Sequence, residues 1–246
     1  MTAITADDEA GPPIQIGGIV SSSFRVMFRR ALDLLLLASP FVLLPSVLAG
    51  LLPRDLRVLG LALGLPSLLF VGGATLITYR ELAGEKRLSF GKVVGQAAPR
   101  FGTLWGLAII RNLCVCVGLL ALVVPGLFLL AAWMPATAIA MAENKGATES
   151  LDLAWRLTKG SRWRLAALLA VQVGMLVLAL LLFVVGAVLL TLTLGQDAGE
   201  SAAQVTLYPA FQAVVEIVLT VTSTAAYVAL RTSKQGVAGD VAEVFA

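Results

Sequence analysis

The sequence predicts an all-α membrane protein, a polytopic bundle of six transmembrane helices, and three observations carry that expectation. Charged residues make up 13% of the 246 and hydrophobic ones 59%, whereas a soluble domain carries about 25% charged residues. Mean hydropathy is +0.92. Apolar runs recur at the length of about 20 residues needed to cross a ~30 Å hydrocarbon core.

The opening MTAITADDEAGPPIQIGG is acidic and carries Pro and Gly where a cleavable signal is basic and then apolar. Residues 1–15 are therefore expected as a disordered cytoplasmic tail, with the first apolar run acting as an uncleaved signal anchor. The spans follow as Ala31–Leu52, Val58–Tyr79, Trp105–Val124, Leu127–Ala142, Leu165–Leu194 and Val205–Leu230. The fourth is short at 16 residues, which suits a tight hairpin with Pro125 and Gly126 inside the bilayer. The fifth, at 30, must tilt, kink or protrude. In the second span, Gly60 and Gly64 form a GxxxG that permits close helix approach. Pro40, Pro45, Pro66 and Pro135 permit kinks. Residues 16–235 make one membrane domain, and 236–246 a short cytoplasmic C-terminal tail.

Orientation follows from the basic residues, which favour the cytoplasmic side. With the N-terminus inside, the inner segments hold Arg25, Arg29, Arg30, Arg80, Lys86, Arg87, Lys92, Arg100, Lys145, Arg156, Lys159, Arg162, Arg164, Arg231 and Lys234, fifteen of the eighteen. Arg54 and Arg57 fall outside and Arg111 within a span. The long outer loop, GQDAGESAAQ, has two acids and no base. Both termini are then cytoplasmic, in a bacterial inner membrane.

Short amphipathic stretches precede spans one, three and five. In ESLDLAWRLTKGSRWRLAALL (149–169), Glu149, Asp152, Arg156 and Lys159 share one helical arc, with Leu151, Ala154, Trp155 and Thr158 opposite. Acids sit in the first turn and bases in the last, as the helix dipole favours. Asp152 and Arg156 can pair at i,i+4, and Gly160 supplies a stop. Such a helix is expected to lie flat in the headgroup layer, with Trp163 between Arg162 and Arg164 marking the water–lipid boundary. Phe24, Arg25, Phe28, Arg29 and Arg30 repeat the pattern before the first span. Lys92, Arg100, Phe101 and Trp105 repeat it before the third. A threefold internal repeat of helical hairpins is inferred, with units near 19–80, 89–142 and 147–231.

The segment VVPGLFLLAAWMPATAIAMAENKGATESLDLAWRLTKGSRWRLAALL resembles the shared region of the glycerophosphoryl diester phosphodiesterase membrane-domain family and its YciC-like bacterial inner-membrane relatives. The matching positions are Pro125, Gly126, Glu143, Gly146, Ala147, Ser150, Leu151, Ala154, Trp155, Leu157, Thr158, Lys159, Gly160 and Trp163; elsewhere only the pattern of spans agrees. The resemblance implies an integral membrane domain and no hydrolase activity. In that family the hydrolase is a separate soluble barrel bearing carboxylates and histidines, and this chain has no histidine.

The candidate residues fall in two groups. Arg156, Lys159, Arg162, Trp163, Arg164, Trp155, Arg29, Arg30, Arg100 and Trp105 are candidates for contact with anionic phospholipid headgroups in the cytoplasmic leaflet, each base contributing about 1 kcal/mol there. Setting topology would require the same bases. Within the bilayer, Glu216 costs about 2.5–3.5 kcal/mol to insert and must face protein or water. Gln212, Glu216, Thr220 and Ser223 share a helical face, either a polar track for an ion, proton or headgroup or a stripe holding helices together. Arg111 either snorkels or pairs with Glu216. Counted at 1.5 Å per residue, the two lie about 12 and 22 Å from the cytoplasmic side.

No histidine removes the commonest general base and the commonest metal ligand; Ser150 and Ser161 have no histidine to activate them, and a Ser–Lys dyad has no signature in the sequence. Cys114 and Cys116 read as small buried or lipid-facing residues. Neither a cofactor nor a metal is expected. The expected function is a non-enzymatic, lipid-contacting scaffold or envelope-homeostasis module, partnered by membrane lipids and by a second copy or another membrane protein, with no nucleic acid. The alternative is a small transporter, channel or lipid-handling permease using the Glu216 stripe. An uninterrupted water-filled cavity reaching Glu216 favours the alternative, and a tightly packed stripe the scaffold.

Overall fold

A computed structural model describes residues 15–52, 65–121 and 123–244, with side chains over 15–52, 65–120 and 124–234. There is no strand among the described residues. In chain order the helices are α1 (Ile16–Arg29), α2 (Ala31–Leu51), α3 (Ser67–Leu82), α4 (Phe90–Ala97), α5 (Phe101–Ala121), α6 (Val123–Ala132), α7 (Ala136–Ala142), α8 (Ala147–Leu157), α9 (Arg162–Leu194), α10 (Gln196–Ala202) and α11 (Tyr208–Val244).

Among the described residues, five stretches are long and apolar enough to cross a membrane: Ala31–Leu51, Phe90–Leu120, Val124–Ala142, Arg162–Leu194 and Gln196–Lys234. The chain is thus a helical, multi-pass membrane protein. The second expected span is described only from residue 65 onward, where α3 has 16 residues, about 24 Å at 1.5 Å each. Gly60, Gly64, Arg54 and Arg57 lie outside the described residues, as do residues 1–14 of the expected tail.

The stretch expected as the outer loop, GQDAGESAAQ, contains the short helix α10. Gly195, at φ +86°, reverses the chain at the end of α9. Gly199 is buried against α9, where an added Cβ would sit 2.7 Å from the backbone nitrogen of Thr191, while most of its neighbours in this stretch stay exposed. α11 runs through Val244, into the stretch expected as the C-terminal tail.

Prolines shape two of the long helices. A π-turn spans Ser39–Leu43 in α2, with the Leu44 N–H donating to the Ser39 carbonyl, and Pro45 follows at once. A second spans Ala203–Leu207, with the Tyr208 N–H donating to the Ala203 carbonyl, and Pro209 follows. A proline lacks the donor for the carbonyl four residues back and its ring clashes there. Widening the turn just before each ring relieves that clash without ending the helix.

Pro125 and Gly126, expected at a tight hairpin, lie inside α6 rather than at a turn. α5 and α6 pack together so closely that an added Cβ at Gly118 would lie 3.1 Å from the Cα of Gly126. α3 is also closely held: a Cβ at Gly73 would meet Leu37 at 2.7 Å and Val93 at 2.9 Å.

α11 is the axis of the bundle. It contributes Ala213 and Val221 to a core with α1 to α4, Ala225, Ala226 and Leu230 to a core with α1, α6 and α9, and Tyr227 to a core with α5, α7 and α8. Its buried face is rich in Ala and Thr, the small residues that let helix backbones approach in lipid.

Candidate functional site in the bundle interior

The amphipathic helices α1, α4 and α8 precede α2, α5 and α9 as expected, and each junction carries an arginine. Arg30 separates α1 from α2, Arg100 ends the single 3₁₀ turn between α4 and α5, and Arg162 opens α9. All three were candidates for lipid headgroups, and all three turn toward protein. Arg30 is 7% exposed and pairs with Glu81 at the end of α3 and with Asp33, 3.1 Å away. Arg100 donates to the Ala140 carbonyl at 3.1 Å, capping the C-terminal turn of α7 where carbonyls lack partners. Arg162 lies 3.8 Å above the Trp155 ring and 5.1 Å from the Phe128 ring. The physical reason is shared: a guanidinium at a helix junction reaches the acids, carbonyls and rings of a neighbouring helix end.

The other interfacial candidates stay on the surface. Arg29, Trp105, Arg156, Lys159, Trp163 and Arg164 are exposed, Trp163 by 80%. Trp155 keeps 37% exposure beneath Arg162. The expected Asp152–Arg156 pair forms at 2.9 Å, while Leu151, Ala154 and Thr158 are buried.

Inside the bundle, five residues on α3, α5, α7, α9 and α11 converge on a cavity of about 340 Å³: Ser67, Arg111, Thr137, Gln172 and Glu216. Thr220, Ser223 and Asn112 also line it. At ~30 Å³ per liquid water this is room for roughly eleven waters. Glu216, Thr220 and Ser223 reach it together because they lie at i, i+4 and i+7 of one helix.

Arg111 and Glu216 do not form a direct ion pair, and neither hydrogen-bonds any described residue. Each lies in the other's field, with the cavity as their shared surface. A further member of the expected stripe, Gln212, is absent from the cavity wall. Its Oε1 accepts from the Ser46 hydroxyl at 2.8 Å, joining α11 to α2 in the holding role also considered for it.

Sequence reasoning missed Gln172. It is 2% exposed, and its Nε2 has no hydrogen-bond partner. The signal was present: between Arg164 and Thr191 it is the only polar side chain. It also missed the cluster of Glu143, Tyr227 and Arg231. The Tyr227 hydroxyl donates to Glu143 at 2.9 Å, and Arg231 donates to both, tying the end of α7 to α11.

A larger groove, about 770 Å³, lies between α2, α9, α10 and α11. Its walls are mostly apolar, none of its described lining residues is cationic, and Glu200 there accepts from Gln204 at 3.2 Å. The smaller cavity holds the unsatisfied charges and is the candidate site. No family model, no curated protein and no solved structure matches this chain, so the site is identified by its own residues alone.

Proposed function

We propose that this chain is a six-span bacterial inner-membrane protein, both termini cytoplasmic, that binds a small polar solute or a lipid headgroup within the bilayer. It is a small permease or lipid-handling protein, without enzymatic activity. The observation that carries this reading is a cation, Arg111, and an anion, Glu216, facing one cavity with neither a direct ion pair nor a hydrogen bond to any described residue. Buried charges are normally paired, and charges within a membrane mark ligand or ion pathways. A bundle built only for support gains nothing from leaving both unsatisfied.

The scaffold reading keeps one specific support, the Ser46–Gln212 bond between α2 and α11. The exposed Arg29, Arg156, Lys159, Arg164 and Trp163 are assigned to the headgroups of the cytoplasmic leaflet. The three inward-turning junction arginines favour the threefold repeat, since each unit uses its junction base alike. Kinship with the glycerophosphoryl diester phosphodiesterase membrane-domain proteins rests on Pro125–Trp163.

Cysteine labelling in native membranes tests the function. With Cys114 and Cys116 replaced by Ala, a cysteine at Ser223 or Thr137 is expected to react with a small hydrophilic thiol reagent. No reaction at either position, beside full reaction at an exposed Lys159→Cys control, means a sealed interior and returns the protein to the scaffold class.

A further inference from the structure

We infer that the cavity's ligand is a small zwitterion, an oxyanion and an ammonium held on one short frame, whether free or as the headgroup of a phospholipid. This rests on the binding function proposed above and narrows it to one chemical class. The lining separates into donors and acceptors. Arg111 offers a guanidinium to the cavity. It suits a carboxylate or phosphate, which it can bind through two parallel hydrogen bonds. Glu216 is an acceptor when ionised and suits an ammonium.

Charge balance selects the class. An anion alone would satisfy Arg111 and leave Glu216 facing a like charge. A cation alone would do the reverse. Leaving one member of such a pair unsatisfied in a buried site is costly, so a ligand carrying only one charge is discriminated against. A zwitterion satisfies both and adds no net charge to the bilayer interior. The volume, about 340 Å³, admits a frame of about ten heavy atoms if each takes roughly the space of one water. That is enough for phosphoethanolamine or a small amino acid and too little for a whole phospholipid, whose acyl chains would have to remain outside.

The test uses the full chain purified in a neutral detergent, with thermal unfolding and calorimetric titration as readouts. The probes are glycine, the methyl phosphodiester of ethanolamine, inorganic phosphate, acetate, ethylammonium and short-chain phosphatidylethanolamine. Glycine or the ethanolamine phosphodiester is expected to bind at least tenfold more tightly than phosphate, acetate or ethylammonium. Binding by short-chain phosphatidylethanolamine alone assigns the zwitterion to a lipid, whereas binding by the free compounds assigns it to a solute. Equal binding of acetate and glycine, or no binding by any probe, overturns the inference. The labelling result at Ser223 is independent of this outcome, so the two failures are distinguishable.

Two variants sharpen the result. Glu216→Gln is expected to erase the preference for glycine over acetate while acetate still binds. Arg111→Gln is expected to lose acetate and glycine binding alike, and unchanged acetate binding in it would remove the guanidinium from the site.

Discussion

The two longest helices, α9 and α11, are both apolar enough to cross a membrane, yet they occupy opposite places. The most apolar stretch of α9 has no residue buried within the protein, whereas more than half of that of α11 is buried. In water the greasier helix would be inside. In lipid the surroundings are as apolar as leucine, so apolar area does not sort helices, and small residues and polar contacts do. α11 carries Ala213, Thr220, Thr224, Ala225 and Ala226 on buried faces. α9 is aliphatic along nearly all its length, and its buried residues Leu165, Leu168 and Gln172 follow one face of its first half.

The largest effect is expected at the centre of α11. Tyr227→Ala empties a fully buried aromatic site and removes the hydroxyl that bonds Glu143 and Arg231. Aromatic truncations of this kind cost about 3–5 kcal/mol, so the yield of folded protein in detergent should collapse. A mild effect would mean that α11 is not the axis. Next comes the outward face of α9, where Leu181 is 57% exposed. Leu181→Asp should oppose membrane insertion by about 2.5–3.5 kcal/mol, measured by an insertion assay, and free tolerance would show that this face does not meet lipid. Gln172→Leu, at a buried polar position of α9, should act with opposite sign, stabilising the unliganded protein by about 1–3 kcal/mol as the cost of an unpaired buried donor is removed. The smallest effect lies away from both helices. Asp152→Ala breaks an exposed i,i+4 pair with Arg156 and should change stability by about 0.5 kcal/mol or less; a loss of several times that would show the pair to be shielded.

Much of the fold was legible because lipid imposes a length on apolar runs. The amphipathic stretches were legible too, since the period of 3.6 places Asp152 beside Arg156 whatever α8 packs against. Arg30, Arg100 and Arg162 were not. A basic residue next to an apolar run reads as a headgroup contact, and only its neighbours, Glu81, the Ala140 carbonyl and the Trp155 ring, turn it inward. Nor was α10 legible: Gly199, with no side chain, lets it lie against α9. In the site, Glu216, Thr220 and Ser223 were found because one helix carries them at fixed spacing. Gln212 shares that spacing but bonds α2, and Gln172 belongs to a helix whose composition drew attention only to its length.

From the sequence alone follow the membrane character, the helical class, the amphipathic helices before α2, α5 and α9, and the polar face of α11, because bilayer thickness and helical period act on residues near in the chain. Tertiary structure decided which long helix lies inside, which arginines face protein, and that Arg111, Gln172 and Glu216 share one cavity. Those outcomes depend on how α3, α5, α7, α9 and α11 pack side by side. The close approaches that set this packing join residues far apart in the chain, and no local pattern encodes them.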